Sequence, residues 1–303
     1  MSSIPPIPPR DGQRGPDRES GRDEAAERIL AALLEARAGH ALSPDRMWRI
    51  ETVLHPILRE RGYPSLEALV VALASEADRQ LVDQVVDALI NHETYFFRDF
   101  ELFCDIERVA LDLLRQRRDK RRSLSIWSVG CSTGQEPYSL AMAMAERPDR
   151  WAGWDVSILA TDISPSVIKT ARAGRYSHFE IQRGLPTRSM LRWFESDGSD
   201  WLLRGEIRDR VRFAEHNLLS DALPPGPFDL ILCRNMLFYL TPEHRARAVT
   251  RLADALAPDG MFMLGAFETM LAQGGPFVPD KAARGFYRVG TAEARPQGRL
   301  LAR

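Results

Sequence analysis

The strongest constraint on this chain lies after residue 122, where short apolar runs alternate with segments of helical periodicity. The runs are Leu124 to Val129, Val156 to Thr161, Phe228 to Cys233 and Met261 to Ala266. Helical patterns fill about Glu136 to Ala145, Pro165 to Ala173 and Glu243 to Leu256. Strands separated by helices pair in parallel through crossovers, and each crossover lays a helix on the sheet. Both faces of such a sheet are buried, which explains why FDLILC carries a single charge among apolar residues. The expected fold class is therefore α/β. Within it, Arg175 to Arg212 is polar and less regular, with Trp193, Phe194, Trp201 and Leu203 around a Ser196-Asp197-Gly198-Ser199 turn. It reads as a small inserted antiparallel β subdomain over about 177–210.

Upstream the period is helical: Ile29 and Leu33, then Met47, Ile50, Leu54 and Ile57, then Leu66, Leu69, Val70 and Leu73, then Leu81, Val82, Val85, Val86 and Leu89. Ser43-Pro44-Asp45 is a helix start signal, and Arg61-Gly62-Tyr63-Pro64 is a stop. A further helix is expected from Asp99 to Leu114. The basic run Arg115 to Arg122 reads as a solvated linker, which sets the expected boundary: an N-terminal helical domain over 25–115 and an α/β domain over 116–292. Residues 1–24, with four prolines among the first nine, read as a disordered tail, and 293–303 as a flexible one.

Lys and Arg number 41 against 42 Asp and Glu, so no global basic field points to nucleic acid. The three cysteines lie far apart and suit a reducing compartment. No run of about 18 apolar residues is present, and the leader lacks the apolar segment of a signal peptide, so a cytoplasmic protein without membrane insertion is expected. The six histidines show no ligand spacing, and no metal site is expected.

Chemistry concentrates at strand ends. Gly130-Cys131-Ser132-Thr133-Gly134 follows the first run and opens a helix, the place where open α/β sheets bind ligands; the same residues also suit a plain turn. The segment lacks the third glycine of a dinucleotide fingerprint and the Gly-Lys-Ser/Thr ending of a P-loop. The second run ends at Asp162, whose two oxygens could accept both hydroxyls of a ribose, or cap the helix that starts near Pro165. The run at 228–233 delivers Arg234 and Asn235 to the same edge. Phe96 and Phe97 read as core, and Cys131 as a small buried residue without a base to activate it.

From about Ala25 to Val289 the chain resembles the CheR-type chemotaxis-receptor (protein-glutamate) methyltransferases. The resemblance rests on Glu93-Thr94-Tyr95-Phe96-Phe97-Arg98-Asp99, Trp127-Ser128-Val129-Gly130-Cys131-Ser132-Thr133-Gly134-Gln135-Glu136-Pro137-Tyr138-Ser139, Ala160-Thr161-Asp162-Ile163, Ala173-Gly174-Arg175-Tyr176, Asn217-Leu218, Cys233-Arg234-Asn235 and Tyr239. It implies a Rossmann-like, S-adenosylmethionine-dependent methyltransferase domain with an N-terminal helical domain and an inserted β subdomain. The substrate it implies is a glutamate on the cytoplasmic helical domain of a chemoreceptor, modified by a monomeric enzyme.

By the same resemblance, Thr94 and Arg98 reach the cofactor from the segment ahead of the sheet, Gly130 lies beneath it, and Glu136 pairs with its ammonium. Asp162 takes the ribose, Asn217 and Leu218 flank the adenine, and Arg234 and Asn235 line the floor. Tyr239 and Arg98 lie nearest the incoming carboxylate. Two departures stand out. The family has Asn two residues before the threonine of its Thr-x-Phe-Phe-Arg motif, where this chain has His92 preceded by Asn91, so His92 becomes a candidate cofactor contact. Gly265-Ala266-Phe267-Glu268 replaces Gly-His-Ser-Glu. Two other functions fit the same motifs: a cofactor-binding scaffold without turnover, or methylation of a carboxylate on another protein or a small molecule.

Overall fold

The computed structural model describes residues 17–42, 46–75, 78–270 and 275–290, with side chains from Glu24 onward. The start signal Ser43-Pro44-Asp45, the leader up to Pro16 and the tail 293–303 lie outside the described residues. The helix Asp17–Ala38 begins inside the segment read as a disordered tail. The prolines that dominate that leader end at Pro16, and the Ala, Glu and Arg that follow are good helix formers.

Contacts divide the chain into two units: one runs up to Leu34 and resumes at Leu42–Leu89, and the other comprises Glu35–Ala41 and everything from Ile90. In the first, the helices Arg49–Arg61, Leu66–Ala74 and Arg79–Leu89 follow one another. Gly62 stops the first of these at φ 72°, in the left-handed region that glycine adopts without strain. The Ser65 hydroxyl caps the second by accepting from Ala68 N–H. Leu30, Leu34, Ile50, Leu54, Leu69, Leu81 and Val85 are buried.

The second unit holds two sheets. Its strands are β1 (Ser123–Val129), β2 (Asp155–Asp162), β3 (Arg175–Ser177), β4 (Phe194–Asp197), β5 (Asp200–Leu203), β6 (Val211–Glu215), β7 (Phe228–Cys233), β8 (Leu256–Leu264), β9 (Phe277–Pro279) and β10 (Phe286–Val289). The larger sheet has the order β6-β2-β1-β7-β8-β10-β9. Its first five strands are parallel, and β10 runs antiparallel to both β8 and β9. Successive residues of β1 and β7 enter opposite cores, as the strand period of two requires. Ile126, Leu230 and Leu232 join Tyr138 and Leu140 on one face, while Trp127, Ile231 and Cys233 join Leu252 and Phe262 on the other.

The smaller sheet, β3-β5-β4, is the inserted antiparallel subdomain, and it begins at Arg175 rather than 177. β6, β9 and β10 carry no expectation from the sequence: they are three to five residues long, too short for a clear period. Phe96 is fully buried and meets Tyr176 and Phe194 edge-on at 5.0 and 5.6 Å between ring centroids, fixing the loop before the sheet against the insertion. Phe97 is half-buried against Phe103.

The boundary falls after Leu89, not after residue 115. The helical stretch Phe100–Arg117, which includes a π turn at Ile106–Ala110, buries Phe103, Ile106, Ala110, Leu111 and Leu114 in the same core as Leu124 and Ile126. The basic run is likewise not a solvated linker throughout. Arg118 is 8% exposed; its Nε donates to Asp229 Oδ1 at 2.6 Å, and both terminal nitrogens donate to Asp259. Arg121 also reaches Asp229, which is fully buried and accepts from Ser125 N–H at 2.9 Å. Composition marks this run as hydrophilic, yet the β7 and β8 residues that neutralise it lie over 100 positions away. Among the described residues no helix is long and apolar enough to cross a membrane.

Arg118→Ala removes charged hydrogen bonds, but Asp229 keeps Arg121 and Ser125 N–H, and Asp259 is half exposed. The substitution is expected to lower unfolding free energy by about 1.5–3 kcal/mol in urea titrations. The Asp259 carboxyl is held below its ordinary range chiefly by the hydrogen bond from Arg118. Its contribution is therefore present above the unfolded carboxylate pKa and lost as pH falls through the depressed folded value, so the gap between wild type and variant should narrow in acid.

Candidate active site

The chain leaves β1 for β2 on one side, and β7 pairs on the other, so the carboxyl ends of these strands diverge and open a crevice at the switch point. A cleft of about 930 Å³, counting solvent at its mouth, occupies that position, and all eleven residues singled out from the sequence line it. Gly130 follows β1, Asp162 ends β2, and Asn217 and Leu218 follow β6. Arg234 and Asn235 follow β7, Tyr239 closes the short helical turn Leu237–Tyr239, and Glu136 lies in the first turn of the helix Gln135–Ala145. His92, Thr94 and Arg98 come from the segment just ahead of Phe100.

The wall after β1 depends on backbone geometry. Gly130 has φ 70°, where a side chain is strained, and a Cβ there would sit 2.9 Å from Met236 Sδ, which would have to shift. Its N–H donates to Thr161 O at 2.8 Å, joining the tips of β1 and β2. Asp162 Oδ2 accepts from Ser132 N–H at 2.8 Å and Oδ1 from Ser164 N–H at 3.1 Å. The helix Pro165–Ala173 is capped by Ser164, whose hydroxyl accepts from Val167 N–H. The two backbone bonds from Ser132 and Ser164 orient the Asp162 carboxylate at the end of β2.

Arg234 lies almost wholly out of solvent and acts as a strut. Its Nη1 pairs with Glu136 Oε2 at 3.1 Å, and its Nη2 meets Asp99 Oδ2 at 3.0 Å and the Arg98 carbonyl at 2.7 Å. Glu136 also accepts from the Ser128 hydroxyl at 2.8 Å. One guanidinium between two carboxylates leaves a net negative charge, which suits a cationic ammonium. Asp99 stands in the sequence only as a helix start and the last residue of the Glu93–Asp99 motif, and its pairing with Arg234 has no signal there.

Neighbouring side chains occupy Arg98 and Tyr239. Arg98 Nη1 donates to Glu93 O at 2.7 Å, and its guanidinium lies 5.6 Å from the Tyr95 ring, which Arg183 of the insertion approaches to 4.5 Å. The Tyr239 hydroxyl accepts from Asn91, and its ring stacks on His40 at 5.8 Å. Burial, then the nearby His92, lowers the His40 pKa to about 4, so this imidazole is neutral at pH 7. Asn217 spends its amide on the backbone, donating to Arg37 O at 3.1 Å and accepting from Leu219 N–H at 2.9 Å, while Leu218 and Leu219 form an apolar wall. Burial pushes the Cys131 thiol well up, in keeping with a packing role.

Of the five non-glycine residues with positive φ among the described residues, Phe97, Asp99, Ser132 and Asn235 lie at or next to this cleft, as strained positions do at functional sites. Asn235, at φ 60°, is held by Glu268, which accepts from Asn235 N–H at 2.7 Å, Gly265 N–H at 2.9 Å and Phe238 N–H at 3.4 Å. Phe267 is 92% exposed, so the apolar change beside Glu268 leaves this clamp intact. His40 gave no signal in the sequence because it lies about 50 residues before the other residues of the loop ahead of the sheet.

A parallel sheet closed by a reversed terminal hairpin, with a glycine turn after its first strand and an acid after its second, defines an S-adenosylmethionine-dependent methyltransferase. The cradle over Gly130, the acceptor at Asp162 and the excess negative charge beside Arg234 all fit that cofactor. The chain belongs to the CheR methyltransferase family, whose SAM binding domain matches residues 92–285. It is 34% identical to chemotaxis protein methyltransferase 1 of Pseudomonas aeruginosa over 80% of this chain and 89% of the relative. It is 33% identical to a chemotaxis protein methyltransferase of Vibrio parahaemolyticus, over 80% and 88% of the respective chains.

Glu268→Ala strips a charged acceptor from three backbone donors, and bonds of this type contribute about 1.5–3 kcal/mol. Calorimetry with S-adenosylhomocysteine is expected to show affinity reduced by about tenfold to a hundredfold.

Proposed function

We propose that this protein forms methyl esters on glutamate side chains in the cytoplasmic helical domain of methyl-accepting chemotaxis receptors, acting as a cytoplasmic monomer. The reading is carried by the meeting, in one cleft, of Gly130 and Asp162 with Arg98 and Tyr239, a cation and a phenol suited to a carboxylate. The chemotaxis names of its relatives support the choice of receptor.

S-adenosylmethionine supplies, when bound, a methyl group on a positively charged sulfur. Asp162 would receive the ribose hydroxyls, Glu136 would face the ammonium, and Asn217 and Leu218 would border the adenine. Arg234 and Asn235 build the floor, with His92, Thr94 and Arg98 on the remaining side.

A glutamate carboxylate, of ordinary pKa near ~4.3, is an anion at neutral pH, and no residue needs to act as base. The chemistry the cofactor would supply is methyl transfer: a carboxylate oxygen would take the methyl group, the sulfur would keep the electron pair of the broken carbon–sulfur bond, and no proton would move. Two opposite charges vanish in this step, so excluding water and aligning the atoms are what the protein contributes. Arg98 shares its guanidinium with the Glu93 carbonyl and the Tyr95 ring, so its hold on the carboxylate is moderate. A tighter salt bridge would stabilise the ground state and slow transfer.

Incubation with labelled cofactor and receptor cytoplasmic fragments is expected to yield base-labile methyl esters on glutamate. Normal binding of S-adenosylhomocysteine without such transfer would overturn the receptor reading. Asp162→Ala should weaken that binding by about tenfold or more, through the lost charged acceptor. Tyr239→Phe should leave binding unchanged and lower kcat by about tenfold.

A further inference from the structure

We infer that Asn91 is a positioning residue for Tyr239: it fixes the phenol as a hydrogen-bond donor to the substrate carboxylate, an inference that rests on the function proposed above. Asn91 is not at the family's asparagine position, which His92 occupies here.

Its amide has one orientation. Asn91 Oδ1 accepts from the backbone N–H of Glu93 at 3.3 Å, two residues on, the local turn that asparagine side chains favour. With the oxygen fixed by a backbone donor, the amide nitrogen faces the Tyr239 hydroxyl. An amide nitrogen only donates, so the phenol oxygen accepts there and the hydroxyl proton is directed along another bond. Both residues line the cleft. On the ring side, His40 stacks at an interplanar angle of 23° and fixes the plane of the phenol. Being neutral at pH 7, His40 introduces no cation to compete for the carboxylate. A donor on one carboxylate oxygen turns the other toward the methyl group, which is the alignment this reaction needs.

Asn91→Asp tests the direction of the bond. The introduced carboxylate has nearly the same shape but only accepts when ionised, so it draws the Tyr239 proton toward itself. Methylation of receptor fragments at pH 8 is expected to fall by about tenfold relative to wild type, with S-adenosylhomocysteine affinity retained. As pH falls through the range of the introduced carboxyl, its protonated form donates again and the ratio to wild type should recover. Asn91→Ala, which removes the donor without adding charge, should show a smaller loss.

In a Tyr239→Phe background both substitutions should become nearly silent, whereas simple repulsion of the substrate by the new charge would persist. Wild-type turnover by Asn91→Asp alongside a slow Tyr239→Phe enzyme, or an equal Asn91→Asp penalty in both backgrounds, overturns the inference and leaves the proposed function standing. A Tyr239→Phe enzyme that turns over at the wild-type rate removes the role of Tyr239 itself, and the inference with it.

Discussion

The cleft depends on the burial of the Arg234 guanidinium between Glu136 and Asp99. A cation 1% exposed is tolerated only when paired and hydrogen-bonded, and its partners come from different parts of the chain: the helix after β1 and the loop ahead of Phe100. Through Arg234 the tip of β7 is therefore joined to both. The same contacts set the local charge, because two carboxylates share one guanidinium. Structure and binding potential arise here from a single set of bonds.

A second clamp operates a few residues on. Glu268 gathers backbone donors from Asn235, Phe238 and Gly265, holding Asn235 in a left-handed conformation that a free chain would leave. The floor of the cleft is thus preorganised before any ligand arrives, and the strain at Asn235, Ser132 and Asp99 is balanced by bonds on all sides.

Much of this was legible in the sequence. The apolar runs placed β1, β2 and β7 closely, because strands buried on both faces leave a nearly unbroken apolar signature. By contrast, β8 starts five residues before the expected Met261, across the polar Pro258-Asp259-Gly260. The residues at the carboxyl ends of β1, β2 and β7 followed from the topology, and Gly130, Asp162, Arg234 and Asn235 line the cleft. What escaped reading was long-range. Arg118 belongs to a hydrophilic run, and nothing local shows that Asp229 and Asp259 will enclose it. Asn91 and His40 acquire their meaning only from Tyr239, about 150 and 200 positions later. Asp162 reads from sequence as a ribose acceptor or a helix cap, and only the fold shows that the Ser164 hydroxyl caps the helix that follows. Short strands such as β6 and β9 lack enough residues to show a period.

Gly184 in the insertion carries a consequence of its own. At φ 81° it lies so near the loop ahead of the sheet that an added Cβ would fall 2.1 Å from the Phe96 carbonyl oxygen, while its neighbour Arg183 covers Tyr95. The inserted subdomain is consequently not an interchangeable accessory. Grafting one from a relative would require its bend at this position to match the host loop, so the two segments are constrained to diverge together as the lineage changes.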